Sequence, residues 1–221
     1  LIISNRGEKL LVDWGSVKPK KNLKEIDPDY IVLTHSHKDH MGGLKDEDPI
    51  YDLYATRLTF DTCTKSWIDH FKENNRLKIL QSEKPNRLGS FTVTPIPVHH
   101  SISHPMDVLL IQVDGKKIIY ASDLRWMNKD KQEKYLKDID LYIGDGSTLD
   151  KSITRRDPDT GEIYGHLSVR EQLDMCRDNN IKNVLITHLG KDLVEMDPED
   201  LEEKIKEYSE DLNVKIAKDG M

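Results

Sequence analysis

The stretch THSHKDH at residues 34–40 decides the fold that this sequence predicts. An apolar run, expected to form a buried strand, leads directly into it. In extended backbone, residues two apart point to the same side, so the rings of His35 and His37 are expected to lie together. Asp39 and His40 follow where the chain must turn. The pattern therefore predicts two neighbouring sets of metal ligands, one from each pair.

Further candidate ligands follow other apolar runs of the chain. They are His99, His100, Asp123 and His188, and each comes directly after a predicted strand. Sheet proteins place chemistry where strand ends converge, so these side chains are expected near the first cluster. Taken alone, Asp123 is equally explained as a helix cap, and His188 is better explained as a core histidine. The joint pattern favours a metal site over these separate explanations.

The composition excludes several classes of protein. The chain has 221 residues, 36% hydrophobic and 33% charged, so it can bury a core, and disorder is excluded. A net charge of −7 makes the chain as a whole no electrostatic trap for nucleic acid. No apolar run is long enough to span a membrane, so no membrane partner is expected. Because the chain starts at Leu1, we expect a fragment, a processed form or an excised domain.

The two cysteines, Cys63 and Cys176, are spaced for neither a zinc site nor a disulfide framework. They predict a reducing, cytoplasmic location. Hydrophobic patterning predicts a single domain of strands with interspersed helices. Among its elements we expect a helix at 57–71, a tight turn at Asp114–Gly115, a loop at 147–165 and a capped helix from Ser168.

The segment VLTHSHKDHMGGL resembles the signature motif of the metallo-β-lactamase superfamily. Other motifs follow in that superfamily's order: Asp13 in LLVDWG, His100 in HHS, Asp123 in YASD and His188 in LITHLG. The resemblance spans residues 9–221. It implies an α+β fold, the αββα sandwich of two mixed β-sheets with outer helices. It also implies one domain over 1–221, lacking one N-terminal strand of the family.

The same resemblance implies two divalent metal ions that hold a bridging hydroxide as the nucleophile. One ion would be bound by His35, His37 and His100, the other by Asp39, His40 and His188, with Asp123 shared. Mixed histidine and carboxylate ligands suit zinc, but also manganese and iron, so the metal stays open. For the third motif His99, His100 and His104 compete, and the His-Ser pair favours His100.

Two features separate the branches of the superfamily. β-Lactamases and glyoxalase-II-type thioesterases usually carry Pro-Gly-His where this chain has PVHHS, and β-lactamases lack one of the aspartates present here as Asp39 and Asp123. The segment from Gly165 to Gly190 resembles ribonuclease Z and the β-CASP nucleases. By that resemblance Asp39 and His166 are catalytic, His166 as a non-ligand that assists the leaving group. A loop histidine is the alternative.

Basic side chains form a small island at 151–156 in this acidic chain. Arg155 and Arg156 could bind a substrate phosphate, because guanidinium groups suit bidentate oxyanion contacts. Alternatively, they pair with the aspartates of the same loop. A second basic stretch, KPKKNLK at 18–24, is expected to be a solvated turn.

The leading hypothesis is a dinuclear metal-dependent hydrolase of phosphoesters, with a phosphodiester in a nucleic acid or nucleotide as substrate. Processing of tRNA is not expected, because no Gly/Pro-rich arm precedes His100. The alternatives are a metal-dependent hydrolase of carboxylic esters, thioesters or lactones, and a non-catalytic metal-binding domain of a larger protein. The sequence leaves the natural substrate and the oligomeric state open.

Overall fold

The computed structural model describes residues 1–15, 22–209 and 211–218. The basic stretch 18–24 therefore lies mostly outside the described residues. The chain divides into two compact units. The first comprises Leu1–Pro97, Ser103–Asp107 and Ile111–Gly115, and the second Val98–Ile102, Val108–Leu110 and Lys116–Met221.

A five-stranded sheet forms the centre of the first unit, with the strand order β1-β2-β3-β4-β5. The strands are β1 (Ile2–Ile3), β2 (Lys9–Val12), β3 (Tyr30–Val32), β4 (Leu53–Thr56) and β5 (Leu77–Leu80). β1 is antiparallel to β2, and the other neighbours are parallel. The helices are α1 (Leu23–Ile26), α2 (Lys38–Met41), α3 (Arg57–Thr62) and α4 (Lys65–Glu73), with a 3₁₀ turn at Gly42–Asp46.

The first unit also contains, up to Pro97, an antiparallel hairpin of β6 (Asn86–Leu88) and β7 (Phe91–Val98), in which Asn86 lies opposite Val93. Strand β8 (Met106–Val113) has residues in both units. The turn after β8 is confirmed, because Asp114 and Gly115 have φ angles of 49° and 75°. Positive φ at both central residues is what a type I′ turn requires.

Parallel strands and helices make up most of the second unit. Its strands β9 (Lys116–Ala121), β10 (Leu141–Asp145), β13 (Asn183–Thr187) and β14 (Asn213–Ile216) pair in the order β14-β13-β10-β9. The helices are α5 (Lys129–Tyr135), α6 (Val169–Asp178), α7 (Lys191–Val194) and α8 (Pro198–Tyr208). As predicted, α6 begins with a capping box of Ser168 and Glu171. Among the described residues, no helix combines the length and apolar composition that crossing a membrane requires.

Two predictions of local structure were wrong. The single helix expected at 57–71 is broken into α3 and α4, because Cys63 adopts extended backbone between two threonines. The loop expected at 147–165 contains a two-stranded ribbon of β11 (Ile153–Arg156) and β12 (Ile163–His166). Its turn is held by the Asp157 carboxylate, which accepts from Thr160 N–H at 2.7 Å. Such short polar strands carry little hydrophobic signal in the sequence.

Candidate metal centre

Three histidine rings of the first unit pack against one another just after β3. The ring of His35 lies 4.6 Å from that of His37 and 4.2 Å from that of His40, measured between centroids. His35 Nε2 and His37 Nδ1 are 2.9 Å apart. The spacing thus brings His35 and His37 together, as the alternation of an extended chain predicts.

Asp13 lies beneath this cluster and accepts three hydrogen bonds. The donors are the backbone N–H and the hydroxyl of Thr34 and Nδ1 of His40, each 2.8 Å from the carboxylate. Because Nδ1–H of His40 is committed to Asp13, its Nε2 carries the lone pair that a metal would use. Metal-binding histidines usually donate their other ring N–H in this way. Asp13 therefore occupies the supporting position that the superfamily resemblance implies.

The same network fixes the protonation of His35. The hydroxyl of Thr34 donates its only hydrogen bond to Asp13, and His35 Nδ1 lies 3.0 Å from that hydroxyl oxygen. Nδ1 must then be the donor of that contact, which leaves Nε2 as the lone-pair nitrogen of the buried ring. Nε2 of His35 is therefore the nitrogen that could bind a cation, which would replace its contact with His37 Nδ1.

Two glycines allow the segment after Asp13 to lie against α2. A Cβ at Gly15 would lie 1.9 Å from the carbonyl oxygen of Asp39, and one at Gly43 would lie 2.3 Å from the carbonyl oxygen of Gly15. The backbone of Trp14 makes two hydrogen bonds in this contact. Its N–H donates to the backbone carbonyl of His40 at 2.6 Å, and its carbonyl accepts from the N–H of Gly43 at 3.1 Å. The backbone that carries Asp39 and His40 is therefore fixed.

Asp39 is the exposed carboxylate of the first unit's cluster. Its side chain is 56% exposed, and its Oδ2 lies 3.7 Å from His40 Nε2. Donor atoms around a tetrahedral zinc ion lie about 3.3 Å apart, given metal–ligand distances of about 2.0–2.1 Å. Asp39 and His40 could therefore bind one ion with only a small movement.

Asp123 is the centre of a second cluster, in the second unit. Its Oδ1 lies 3.7 Å from His100 Nε2, 3.6 Å from His188 Nε2 and 3.8 Å from His166 Nδ1. The Asp123 side chain is almost completely buried. A buried carboxylate surrounded by ring nitrogens is an arrangement that a shared cation would stabilise.

The structure separates the three candidates for the third-motif histidine. His100 Nδ1 lies 2.9 Å from the carbonyl oxygen of Gly165, to which it donates, so Nε2 presents its lone pair toward Asp123. Burial lowers the pKa of His100, which favours the neutral form that binds metals. His99 instead lies against Trp126, and His104 Nδ1 lies 2.7 Å from Ser36 Oγ in the first unit. Only His100 faces Asp123 in these contacts.

Sequence reasoning missed Asp145, which ends β10. It is fully buried, its Oδ2 lies 2.7 Å from His166 Nδ1, and its Oδ1 lies 3.4 Å from His188 Nδ1. Asp123, Asp145, His166 and His188 have donor atoms that all lie within 4.8 Å of one another. The available signal was the position of Asp145 at the end of an apolar strand, as at Asp123.

The buried Gln172 of α6 holds the backbone of Asp145 through both ends of its amide. Its Oε1 accepts from the N–H of Asp145 at 2.8 Å, and its Nε2 donates to the carbonyl at 2.7 Å. Asp145 is therefore positioned from a neighbouring helix as well as from its own strand.

His166 ends β12 and is oriented by Asp145. Its Nδ1–H donates to the Asp145 carboxylate at 2.7 Å, and 21% of its side chain is exposed. The preceding Gly165 has a φ of 130°, and a Cβ there would lie 2.0 Å from the carbonyl oxygen of Ile153. Only glycine fits this position, so the register that places His166 depends on it. With Nδ1 committed, Nε2 is the nitrogen that could exchange a proton with a substrate.

Comparison with known protein families identifies the family of this chain. A family model described as "Beta-lactamase superfamily domain" matches residues 12–189. The chain belongs to this superfamily. The match contains Asp13, the histidine stretch 34–40 and every other predicted ligand.

Three proteins illustrate the relationship. Exodeoxyribonuclease WalJ of Streptococcus pneumoniae is 25% identical over 204 residues, covering 84% of this chain and 75% of its own length. Ribonuclease Z of Methanopyrus kandleri is 21% identical over 253 residues, covering 100% of this chain and 89% of its own length. The crystal structure of the metallo-β-lactamase fold protein YhfI from Bacillus subtilis has a TM-score of 0.65 at 21% identity and covers 96% of this chain and 85% of its own.

The comparisons confirm the predicted α+β metallo-β-lactamase fold and the resemblance to the ribonuclease Z branch. The prediction of an enzyme, a metal-dependent hydrolase, is confirmed at that level as well. The single domain over 1–221 stays a prediction, and so do the individual roles of the site residues.

The two arginines of the basic island lie on β11, opposite β12. Arg155 is paired with Tyr164, and Arg156 with Ile163. Arg156 donates from Nη1 to the carbonyl of Gly161 at 2.8 Å, which ties it to the turn of its own ribbon. Both arginines are exposed, as the phosphate-binding hypothesis requires.

Proposed function

We propose that this superfamily member is a dinuclear phosphodiesterase that acts on a nucleic acid or nucleotide. In this proposal His35, His37 and His100 bind one ion, Asp39, His40 and His188 bind the other, and Asp123 is shared. The observation that carries it is that Nδ1 of His40 and Nδ1 of His100 each donate a hydrogen bond to a neighbouring oxygen. Hydrogen bonds to Asp13 and to Gly165 engage Nδ1 of both rings and leave Nε2 as the nitrogen that could bind a metal, which supports the proposal.

The donor set fits two transition-metal ions. It contains ring nitrogens and carboxylate oxygens and no thiolate, which suits zinc as well as manganese or iron, and we propose zinc. When bound, two such ions would acidify a water molecule and neutralise the charge of a phosphoester. An Asp123 whose Oδ1 lies within 3.8 Å of three ring nitrogens is the residue best placed to serve both.

The chain's own residues would handle the protons. Asp39, the exposed carboxylate, would orient the attacking water and accept its proton. His166 would donate the proton on Nε2 to the oxygen of the leaving group. Asp145 would keep Nδ1–H of His166 in place at 2.7 Å and stabilise the imidazolium before the transfer.

Phosphoester chemistry is favoured over lactam or thioester hydrolysis by the presence of both Asp39 and Asp123, together with a histidine pair in place of Pro-Gly-His. Relatives named as an exodeoxyribonuclease and as ribonuclease Z support the same substrate class. We also propose a cytoplasmic location. Cys63 and Cys176 are both free cysteines, as is usual in a reducing compartment, and burial raises the pKa of their thiols to about 11 and about 12.

The test compares substrate classes on one zinc-loaded preparation. We expect bis(p-nitrophenyl) phosphate to be hydrolysed, the activity to disappear with chelator, and zinc or manganese to restore it. A chromogenic cephalosporin, a thioester and a lactone serve as the other substrates. Faster turnover of any of these three would overturn the phosphodiesterase assignment. Absence of turnover on all four, at full metal content, would favour the non-catalytic domain.

A further inference from the structure

A pair of exposed aromatic rings lies beside the second unit's cluster and has no role in the proposed chemistry. Trp126 is 50% exposed, unusually open for so large an apolar residue, and its ring lies 5.2 Å from that of His99. The two rings are tilted by 53°. Each ring is close in sequence to a proposed metal ligand, since His99 directly precedes His100 and Trp126 follows Asp123 by three residues.

Backbone hydrogen bonds hold this ring pair in place. His99 N–H donates to the Trp126 carbonyl at 3.2 Å, and Trp126 N–H donates to the His99 carbonyl at 3.1 Å. This reciprocal pairing is a short antiparallel bridge, in which the two side chains project to the same side. The carboxylate of Glu162 lies 3.5 Å from Nδ1 of His99. The rings therefore form a prearranged surface that costs little entropy to engage.

We infer that Trp126 and His99 form a stacking platform for an unpaired nucleobase of the substrate. This inference rests on the proposed function and specifies its substrate as one that carries a base. Every base has a flat π-face that can stack on an aromatic side chain, but only when the base is unpaired. His99 directly precedes His100 in the chain, and we infer that a base on the platform would leave its phosphodiester within reach of His100 and Asp123.

The charge of the chain favours such an uncharged contact. With a net charge of −7, the protein as a whole repels a polyanion, so long-range attraction contributes little to binding. Stacking supplies affinity independently of charge and of base identity. We therefore expect a tolerance for different bases, combined with a preference for single strands or mononucleotide esters over duplexes.

The test uses two phosphodiesters that share one leaving group. Thymidine 5′-(p-nitrophenyl phosphate) carries a base, and methyl p-nitrophenyl phosphate does not. We expect Trp126→Ala to lower the ratio of kcat/KM between the first and the second ester about tenfold, the size of effect that loss of a stacking ring produces. Trp126→Phe should keep most of the ratio. Val194→Ala removes another exposed apolar side chain of the second unit and should leave the ratio unchanged.

Binding is measured separately from catalysis. A short oligothymidylate should quench the tryptophan fluorescence of the metal-free protein, and Trp126→Phe should remove that quenching. If neither ester is hydrolysed, the proposed function fails, whereas quenching that depends on Trp126 still supports the platform. An unchanged ratio in Trp126→Ala, or quenching that persists in Trp126→Phe, overturns the platform whatever the esters show.

Discussion

At the scale of single residues, the second unit's cluster depends on hydrogen bonds in which Nδ1 of a histidine ring donates to a neighbouring oxygen. His100 is held by the carbonyl of Gly165, and His166 by the carboxylate of Asp145. The two rings therefore have different proposed roles. His100 presents Nε2 to Asp123, whereas His166 presents Nδ1 to Asp145 and keeps Nε2 for proton transfer. The same side-chain type thus serves two proposed roles because different acceptors lie beside it.

His166→Ala should therefore keep the metals and the fold but lower kcat. We expect a loss of about 10²–10⁴-fold, the usual contribution of a general acid or base. Because a good leaving group needs little protonation, the loss should be much smaller with p-nitrophenyl esters than with alkyl esters. Steady-state kinetics on both ester types, with metal content measured by elemental analysis, checks this.

Two outcomes would contradict the role of His166. Loss of metal in His166→Ala would make it a ligand, and normal turnover of an alkyl ester would leave it without a part in the reaction. Asp145→Asn provides a second variant, since it should reduce kcat through the orientation of His166.

At the scale of elements, the β11–β12 ribbon decides what its two arginines can reach. Residues directly opposite in an antiparallel pair share a face, as do residues two apart on one strand. Arg155 lies opposite Tyr164, and Ile153 lies opposite His166. Arg155 therefore shares the ribbon face of His166, while Arg156 lies on the other face with Ile163.

This register predicts unequal effects for the two arginines proposed to bind substrate. Arg155→Ala should raise KM several-fold with a small change in kcat, and the effect should grow at low ionic strength. Arg156→Ala is the matched control, equal in charge but placed on the opposite face, and it should change KM less. Equal changes in KM for the two variants would indicate a general electrostatic role for the basic island. An unchanged KM in both variants would indicate that the island is a solvated loop without a role in binding.

At the scale of the whole molecule, metal binding at the proposed ligands should be coupled to folding, because the unfolded chain does not hold these side chains together. Ions bound at the proposed site should therefore stabilise the folded chain. A ligand at about 1,000 times its Kd adds about 4 kcal/mol to the free energy of unfolding.

Asp123→Ala should reduce metal content, abolish activity and shrink the difference in Tm between the zinc-loaded and the chelator-treated protein. The reason is that one carboxylate is proposed to serve both ions. Asp159→Ala removes an exposed loop aspartate and is the matched control, expected to retain metal and the Tm difference. Elemental analysis that finds full metal loading in Asp123→Ala would contradict the shared role.

The sequence by itself determined the features that depend on local spacing. The alternation of His35 and His37, the capping box of Ser168 and Glu171 and the turn at Asp114–Gly115 all follow from neighbouring residues and backbone geometry. The superfamily was readable for the same reason, because its main motif is one continuous segment. Strand ends also indicated Asp123 and His188, since an apolar run that stops at a polar residue is a local signal.

Only the tertiary structure decided the contacts between distant segments. The choice of His100 over His99 depends on the carbonyl of Gly165, a residue of a separate strand. The orientation of His166 depends on Asp145, which sequence reasoning passed over, and the placement of Arg155 and Arg156 on opposite faces of the ribbon depends on the β11–β12 register. Hydrogen-bond direction and strand register arise when remote backbones meet, and no local pattern in the chain encodes them.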